Sequence, residues 1–333
     1  MRKGRIPARG VWLGKVSRRP PAIKARRLGA RDGGGYTGRE SRRIPPMPGV
    51  ASVTVTPLSP VLGARMDGID LHRPLDEAAF AVVHDAFLRH QVLCFPNQHL
   101  SADDQIRFCG YFGRADSDYK VPASQLAPSD RTRADYRKGV MLVTNVRKDG
   151  VPIGNLPDGD MQFHSDGAHR PSPYLATTLY GIRVPREGGD TLFANLYAAY
   201  DALPPSMKER IEGLRVHNVY LLDATDAAEF DADDPRMRHA VHPLVRVHPE
   251  TGRRALYVNR LMSRWIEDMD RAEGEALVAE LVAVSERPAF VYAHKWTRGD
   301  FLIWDNRCVN HARSDFSPDE VRLLRRYTIS DAA

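Results

Sequence analysis

Gln162-Phe163-His164-Ser165-Asp166 sets an imidazole and a carboxylate two residues apart. Residues two apart on a strand project from one face. The spacing therefore predicts a strand over 161–166 that presents His164 and Asp166 together. Such a pair can chelate one metal ion, although a surface histidine followed by a turn aspartate gives the same pattern. A second group lies near the end of the chain. Residues 299–311 read as strand, polar turn and returning strand, with His311 on the return. Arg322 and Arg326 follow His311 by eleven and fifteen residues. Alternation along a strand over 321–329 puts Arg322 and Arg326 on one inward face and turns Arg325 the other way, to solvent. Two inward guanidinium groups need anionic partners, because unpaired charge is costly to bury.

These residues need strands to carry them, and the chain is rich in strand-like segments. From Ser52 onward apolar residues alternate at Val53, Val55 and Leu58. Residues 75–90 carry Phe80, Val83 and Phe87 at helical spacing. Val92 to Phe95 is a short apolar strand that stops at Pro96. Ser101 with Asp104 makes an N-terminal capping box, opening a helix that should run to about Phe112. Beyond Gly139 short strands are expected at 141–146, 161–166, 175–184, 214–222, 241–248, 255–258, 289–293, 300–304 and 321–329. Helices are expected near 196–212 and 270–286. Strands separated by turns, without βαβ alternation, argue for a mainly β jelly roll decorated by helices.

The chain has 333 residues, 42% of them hydrophobic and 27% charged, an ordinary globular balance. No apolar run approaches the ~18 residues of a membrane span, which excludes a membrane protein of that kind. Three cysteines (Cys94, Cys109, Cys308) make no disulfide framework and fit a reducing, cytoplasmic setting. The net charge is +6, but residues 1–46 hold 14 Lys and Arg against two acids, so that stretch carries +12 and the remainder −6. A nucleic-acid partner is therefore not expected. Residues 1–46 read as a basic tail: a disordered arm, a targeting peptide, or sequence upstream of a start at Met47. Gly33 to Gly38 satisfies G-x-G-x-x-G only on paper, having no strand before it and no helix after it. Residues 47–333 read as a single domain.

In combination, these elements resemble the iron(II)- and 2-oxoglutarate-dependent dioxygenases of the taurine dioxygenase and dichlorophenoxyacetate dioxygenase group. The matching elements are His164-x-Asp166, Gly188-Gly189-Asp190-Thr191 leading to Ala198-Ala199-Tyr200-Asp201-Ala202-Leu203-Pro204, Trp304-Asp305-Asn306-Arg307, His311 and the paired arginines. They span roughly residues 50–330 in the expected order. The resemblance implies the double-stranded β-helix, a cupin-like jelly roll. It implies a facial triad of His164, Asp166 and His311 on iron(II), with positions left for 2-oxoglutarate and dioxygen. Arg322 would hold the distal carboxylate of 2-oxoglutarate, Thr191 would add a hydroxyl to it, and Arg326 would meet an anionic group of the prime substrate. The reaction implied is hydroxylation of a substrate carbon with release of succinate and CO2, and a carboxylate in the triad argues against halogenation.

Within that resemblance, Lys120 stands near a substrate lysine of the dichlorophenoxyacetate enzyme, one residue out of step, and also reads as an exposed loop lysine. Asp160 replaces an asparagine of the taurine enzymes, which puts taurine itself in doubt. The expected substrate is a small organic anion: a sulfonate, sulfate ester, aryloxyalkanoate or other carboxylate. A zwitterionic amino-acid-like substrate is the alternative, and a non-enzymatic iron-binding jelly roll a further one. The oligomeric state is left open, a homo-oligomer included. His169 reads as a loop or supporting residue, His239, His242 and His248 as structural or exposed, Cys308 as buried and Trp304 as core packing.

Overall fold

The computed structural model describes residues 42–43, 53–116, 141–155, 159–221 and 237–331. The basic tail expected over 1–46 falls outside them apart from Arg42–Arg43, which pair with Thr54–Pro57. Lys120 also lies outside.

Among the described residues the strands gather chiefly into a nine-stranded and a four-stranded sheet. Ala176–Arg183 sits inside the larger sheet, antiparallel to Phe301–Asp305 on one side and Leu323–Ser330 on the other. The smaller sheet runs Val291–His294, Thr191–Asn195, Val309–Arg313, Met161–His164. Neighbours in each sheet come from distant parts of the chain, as a jelly roll requires. Leu179, Leu302, Trp304 and Leu324 of the larger sheet and Phe193 and Val309 of the smaller belong to one buried cluster, so apolar faces of both sheets share a core. The expected mainly β class and jelly-roll architecture hold.

Helices close the periphery. Asp76 caps Glu77–His90 by accepting from Ala79 N at 2.7 Å. The capping box at Ser101 and Asp104 is present in both directions, but its helix, Ala102–Cys109, ends at Gly110 rather than near Phe112. The helix expected over 196–212 is two, Leu196–Asp201 and Pro205–Ile211, because Pro204 and Pro205 cannot continue the first and are suited to starting the second. Arg271–Ser285 packs on a third sheet of Met237–Pro243, Arg215–Leu221 and Ser263–Ile266. No helix among the described residues is long and apolar enough to cross a membrane.

Candidate active site

His164 is the last residue of its strand, and Asp166 lies in the turn beyond it. The expectation of one strand through 166 is corrected here: the pair converges because the chain turns after His164, where Gly167 takes a φ of +76°. His311, in the next strand of the smaller sheet, pairs in register with His164. All three side chains are buried, and their candidate ligand atoms lie within 4.8 Å of one another. His164 Nε2 is 3.6 Å from Asp166 Oδ1 and His311 Nε2 is 3.7 Å from Asp166 Oδ2. His164 Nδ1 lies 2.9 Å from Gln162 O and can only donate to that carbonyl, which leaves Nε2 as the lone-pair nitrogen facing its partners. Burial, then His164, holds His311 well below the usual histidine range against the pull of Asp166, so its imidazole is neutral near pH 7. Burial alone would raise the Asp166 carboxyl, but Arg326 and the imidazoles hold it well below the usual carboxylate range. Two imidazoles and one carboxylate are the donor set of a facial triad.

Arg322 and Thr191 stand in the same pocket, an open space of about 480 Å³ that also has His164, Asp166 and His311 in its wall. Arg322 precedes its strand instead of lying within it, and it is 2% exposed. Its Nε donates to Gly189 O at 3.0 Å, while its Nη1 is buried with no hydrogen-bond partner among the described residues. Burial, then Arg313, lowers its pKa to about 9, with Asp190 opposing. A guanidinium so placed is short of an anion. Gly189 is required beside it: φ is +65°, and a Cβ there would come within 3.0 Å of Arg322 Cδ. Thr191 Oγ1 accepts from Trp296 Nε1 at 3.0 Å. An indole can only donate, so the threonine keeps its own proton to give away. A carboxylate at this end of the pocket would satisfy both residues.

Arg326 also lines the pocket. Its Nη2 is 2.5 Å from Asp166 Oδ1, and its Nη1 donates to Met141 Sδ at 3.0 Å. The guanidinium thus marks the carboxylate as a cation's seat. Arg325 corrects the expectation of a solvent-facing residue. It is 7% exposed, donating to Gln105 Oε1 and Leu100 O at 2.8 Å each and lying over the Tyr180 ring. The larger sheet is covered on that face by Ala102–Cys109, so the outward side of the strand is a second interior. Arg313 also lines the pocket. It lies two residues past His311, so strand alternation could have flagged it.

Three other histidines, His169, His242 and His248, have structural partners. His169 stacks on Tyr220 with ring centroids 5.0 Å apart, and burial, then Arg238, lowers it to about 4. His242 Nε2 meets Arg170 O at 2.9 Å. His248, 1% exposed, meets Asp305 Oδ2 at 2.9 Å, and Arg307 binds the same carboxylate and Glu250. This buried charged network fixes the turn between Phe301–Asp305 and the strand that carries His311. Trp304 is fully buried, yet its ring lies 4.6 Å from that of His311 and it also lines the pocket, so it is both core and wall.

Residues 54–328 match the family model for the taurine catabolism dioxygenase TauD, TfdA family. The chain belongs to this dioxygenase family. It is 34% identical over 295 residues to an alpha-ketoglutarate-dependent 2,4-dichlorophenoxyacetate dioxygenase of Cupriavidus pinatubonensis, covering 85% of this chain and 99% of that one. It is 30% identical over 294 residues to an alpha-ketoglutarate-dependent sulfate ester dioxygenase of Pseudomonas putida, covering 85% and 91%. Among solved structures, AAD-2 in complex with Mn(II) and N-oxalylglycine superposes with a TM-score of 0.70 at 27% identity, over 84% of this chain and 98% of that one. As a family member the chain is an oxidoreductase with the family's jelly-roll fold.

Proposed function

We propose that His164, Asp166 and His311 hold the metal of this dioxygenase, and that Arg322 with Thr191 holds the distal carboxylate of its 2-oxoglutarate. The enzyme is an alpha-ketoglutarate-dependent dioxygenase whose working set is iron(II), 2-oxoglutarate and dioxygen. The observation that carries the assignment of residues is the buried, unpartnered Nη1 of Arg322 in the pocket that also gathers the three ligands. A dicarboxylic co-substrate supplies an anion for that guanidinium and a second carboxylate for the metal. Bound iron(II) supplies the activation of dioxygen, with 2-oxoglutarate leaving as succinate and CO2 and one oxygen atom passing to a substrate carbon. The protein's part is positioning. Neutral His311 and ionised Asp166 are ready as ligands without losing protons, Arg322 sets the co-substrate's depth, and the apolar wall of Val143, Leu179 and Trp304 keeps water away.

The substrate is a small organic anion, and Arg326 meets its charged group. Arg326 supports this reading because it is the cation nearest the ligand carboxylate and lies on the pocket wall. The relatives named for aryloxyalkanoate and sulfate ester substrates fit the same chemistry. We place the enzyme in the cytoplasm, a setting that its three buried, free cysteines fit. An oxygen electrode, with iron(II) and 2-oxoglutarate present, should register substrate-dependent consumption for at least one of a sulfonate, a sulfate ester and an aryloxyalkanoate. Amino acids should give only the background rate. Stimulation by amino acids alone would contradict the anionic assignment.

A further inference from the structure

A chain of fully buried hydrogen bonds runs from the core to Oδ2 of Asp166. Trp304 Nε1 donates to Asn306 Oδ1 at 3.0 Å, Asn306 Nδ2 donates to Thr177 Oγ1 at 2.9 Å, and Thr177 Oγ1 donates to Asp166 Oδ2 at 2.6 Å. Trp304, Asn306 and Thr177 are all 0% exposed. The polarity of the chain is fixed at its start. An indole nitrogen has a proton and no acceptor lone pair, so Asn306 must turn its carbonyl oxygen to Trp304 and its amide to Thr177. Thr177 therefore accepts from Asn306, and its single proton has one place to go, the carboxylate of Asp166. The backbone holds the same pieces. Thr177 and Trp304 are direct partners across the sheet, Ser165 Oγ donates to Asn306 O at 2.7 Å, and Asn306 N donates to Leu175 O at 3.0 Å.

We infer that Thr177 is a positioning residue for the metal site: it ties Asp166 by Oδ2 and thereby presents Oδ1 as the ligating oxygen. Oδ1 is the oxygen that meets the guanidinium of Arg326 in the pocket, whereas Oδ2 is held by a donor that cannot rotate away without also breaking the buried bond it accepts from Asn306. A carboxylate tied at one oxygen is offered to a cation through the other, which conserves the open positions the reaction needs. The inference rests on the ligand assignment proposed above and extends it to Thr177, which is not in the pocket wall and acts through Asp166. No spacing in the sequence points to Thr177, because its role comes from the sheet register alone.

The test is the affinity of the intact chain for Mn(II), measured by the loss of free-ion EPR signal, beside the melting temperature of the metal-free protein. Thr177→Val keeps the shape and removes the proton. It should weaken Mn(II) binding by about 10- to 100-fold, the range for lost outer-shell partners. Thr177→Ser should restore affinity to near that of the original chain. Trp304→Phe removes the indole donor and frees Asn306 to turn, so it should also weaken Mn(II) binding; it serves if Thr177→Val does not fold. Mn(II) affinity unchanged in Thr177→Val, or lost equally in Thr177→Ser, would overturn the inference, as would unchanged affinity in Trp304→Phe where that variant decides. His311→Ala separates the two levels. If it retains Mn(II), the ligand assignment itself fails; if it loses Mn(II) while Thr177→Val does not, only the relay fails.

Discussion

Replacing His311 or His164 with alanine is expected to abolish turnover and to weaken iron(II) binding by more than about 100-fold, beyond the 10- to 100-fold typical of losing an outer-shell partner. Each imidazole is one of three candidate donors held within 4.8 Å, and a site left with one imidazole and a carboxylate has lost its geometry as well as a ligand. His169→Ala is the matched control. It removes a histidine three residues from Asp166 that stacks on Tyr220 and belongs to no donor cluster among the described residues. It should bind iron near the original level. Metal analysis after gel filtration, with circular dichroism to confirm folding, reads the difference. Stoichiometric iron in both His164→Ala and His311→Ala would contradict the assignment.

The two inward arginines should separate cleanly. Arg322→Leu removes the buried cation proposed to pair with the co-substrate. Breaking a buried charge pair on one side typically costs ~3–5 kcal/mol, so the apparent constant for 2-oxoglutarate should rise by roughly two to four orders of magnitude. Turnover should fall with every prime substrate, because the co-substrate is common to all. Arg326→Leu should mainly raise the constant for an anionic prime substrate and spare most of the uncoupled decarboxylation of 2-oxoglutarate. Its metal affinity should not fall, since the variant removes a cation 2.5 Å from Asp166 Oδ1. Lysine at either position should rescue only in part, because a point charge cannot reproduce the planar fork. Steady-state kinetics with each co-substrate varied separately decide the matter. Greater damage to 2-oxoglutarate binding from Arg326→Leu than from Arg322→Leu would exchange the roles and remove the main support for an anionic substrate.

The contrast between legible and illegible features follows from what spacing can carry. His164, Asp166, His311 and Thr191, which line one pocket, could be picked out from the chain because strong local signals mark them: an H-x-D pair, a glycine pair before Thr191, and the polar turn of 304–307 before His311. The capping box at Ser101 was equally local and formed as expected. Alternation failed where its premise failed. It treated His164 and Asp166 as one strand, although the strand stops at His164 and a turn supplies the convergence. It sent Arg325 to solvent because it assumed one wet face, while a helix covers that face and gives the guanidinium buried acceptors at Gln105 and Leu100. Thr177 carries no signal at all, because its neighbours Trp304 and Asn306 are more than a hundred residues away and meet it only across the sheet. Lys120 lies outside the described residues and stays as the sequence left it.

An enzyme that couples oxidation of its substrate to decarboxylation of 2-oxoglutarate splits dioxygen between the two products, and isotope accounting reads that split. The iron-loaded enzyme is incubated with 2-oxoglutarate and a stimulating substrate under 18O2, and the succinate is examined by mass spectrometry. One atom of 18O should enter each succinate, with CO2 released in equal amount and the second 18O atom delivered to the oxidised product. Succinate without label, or substrate oxidation with 2-oxoglutarate left intact, would contradict the account.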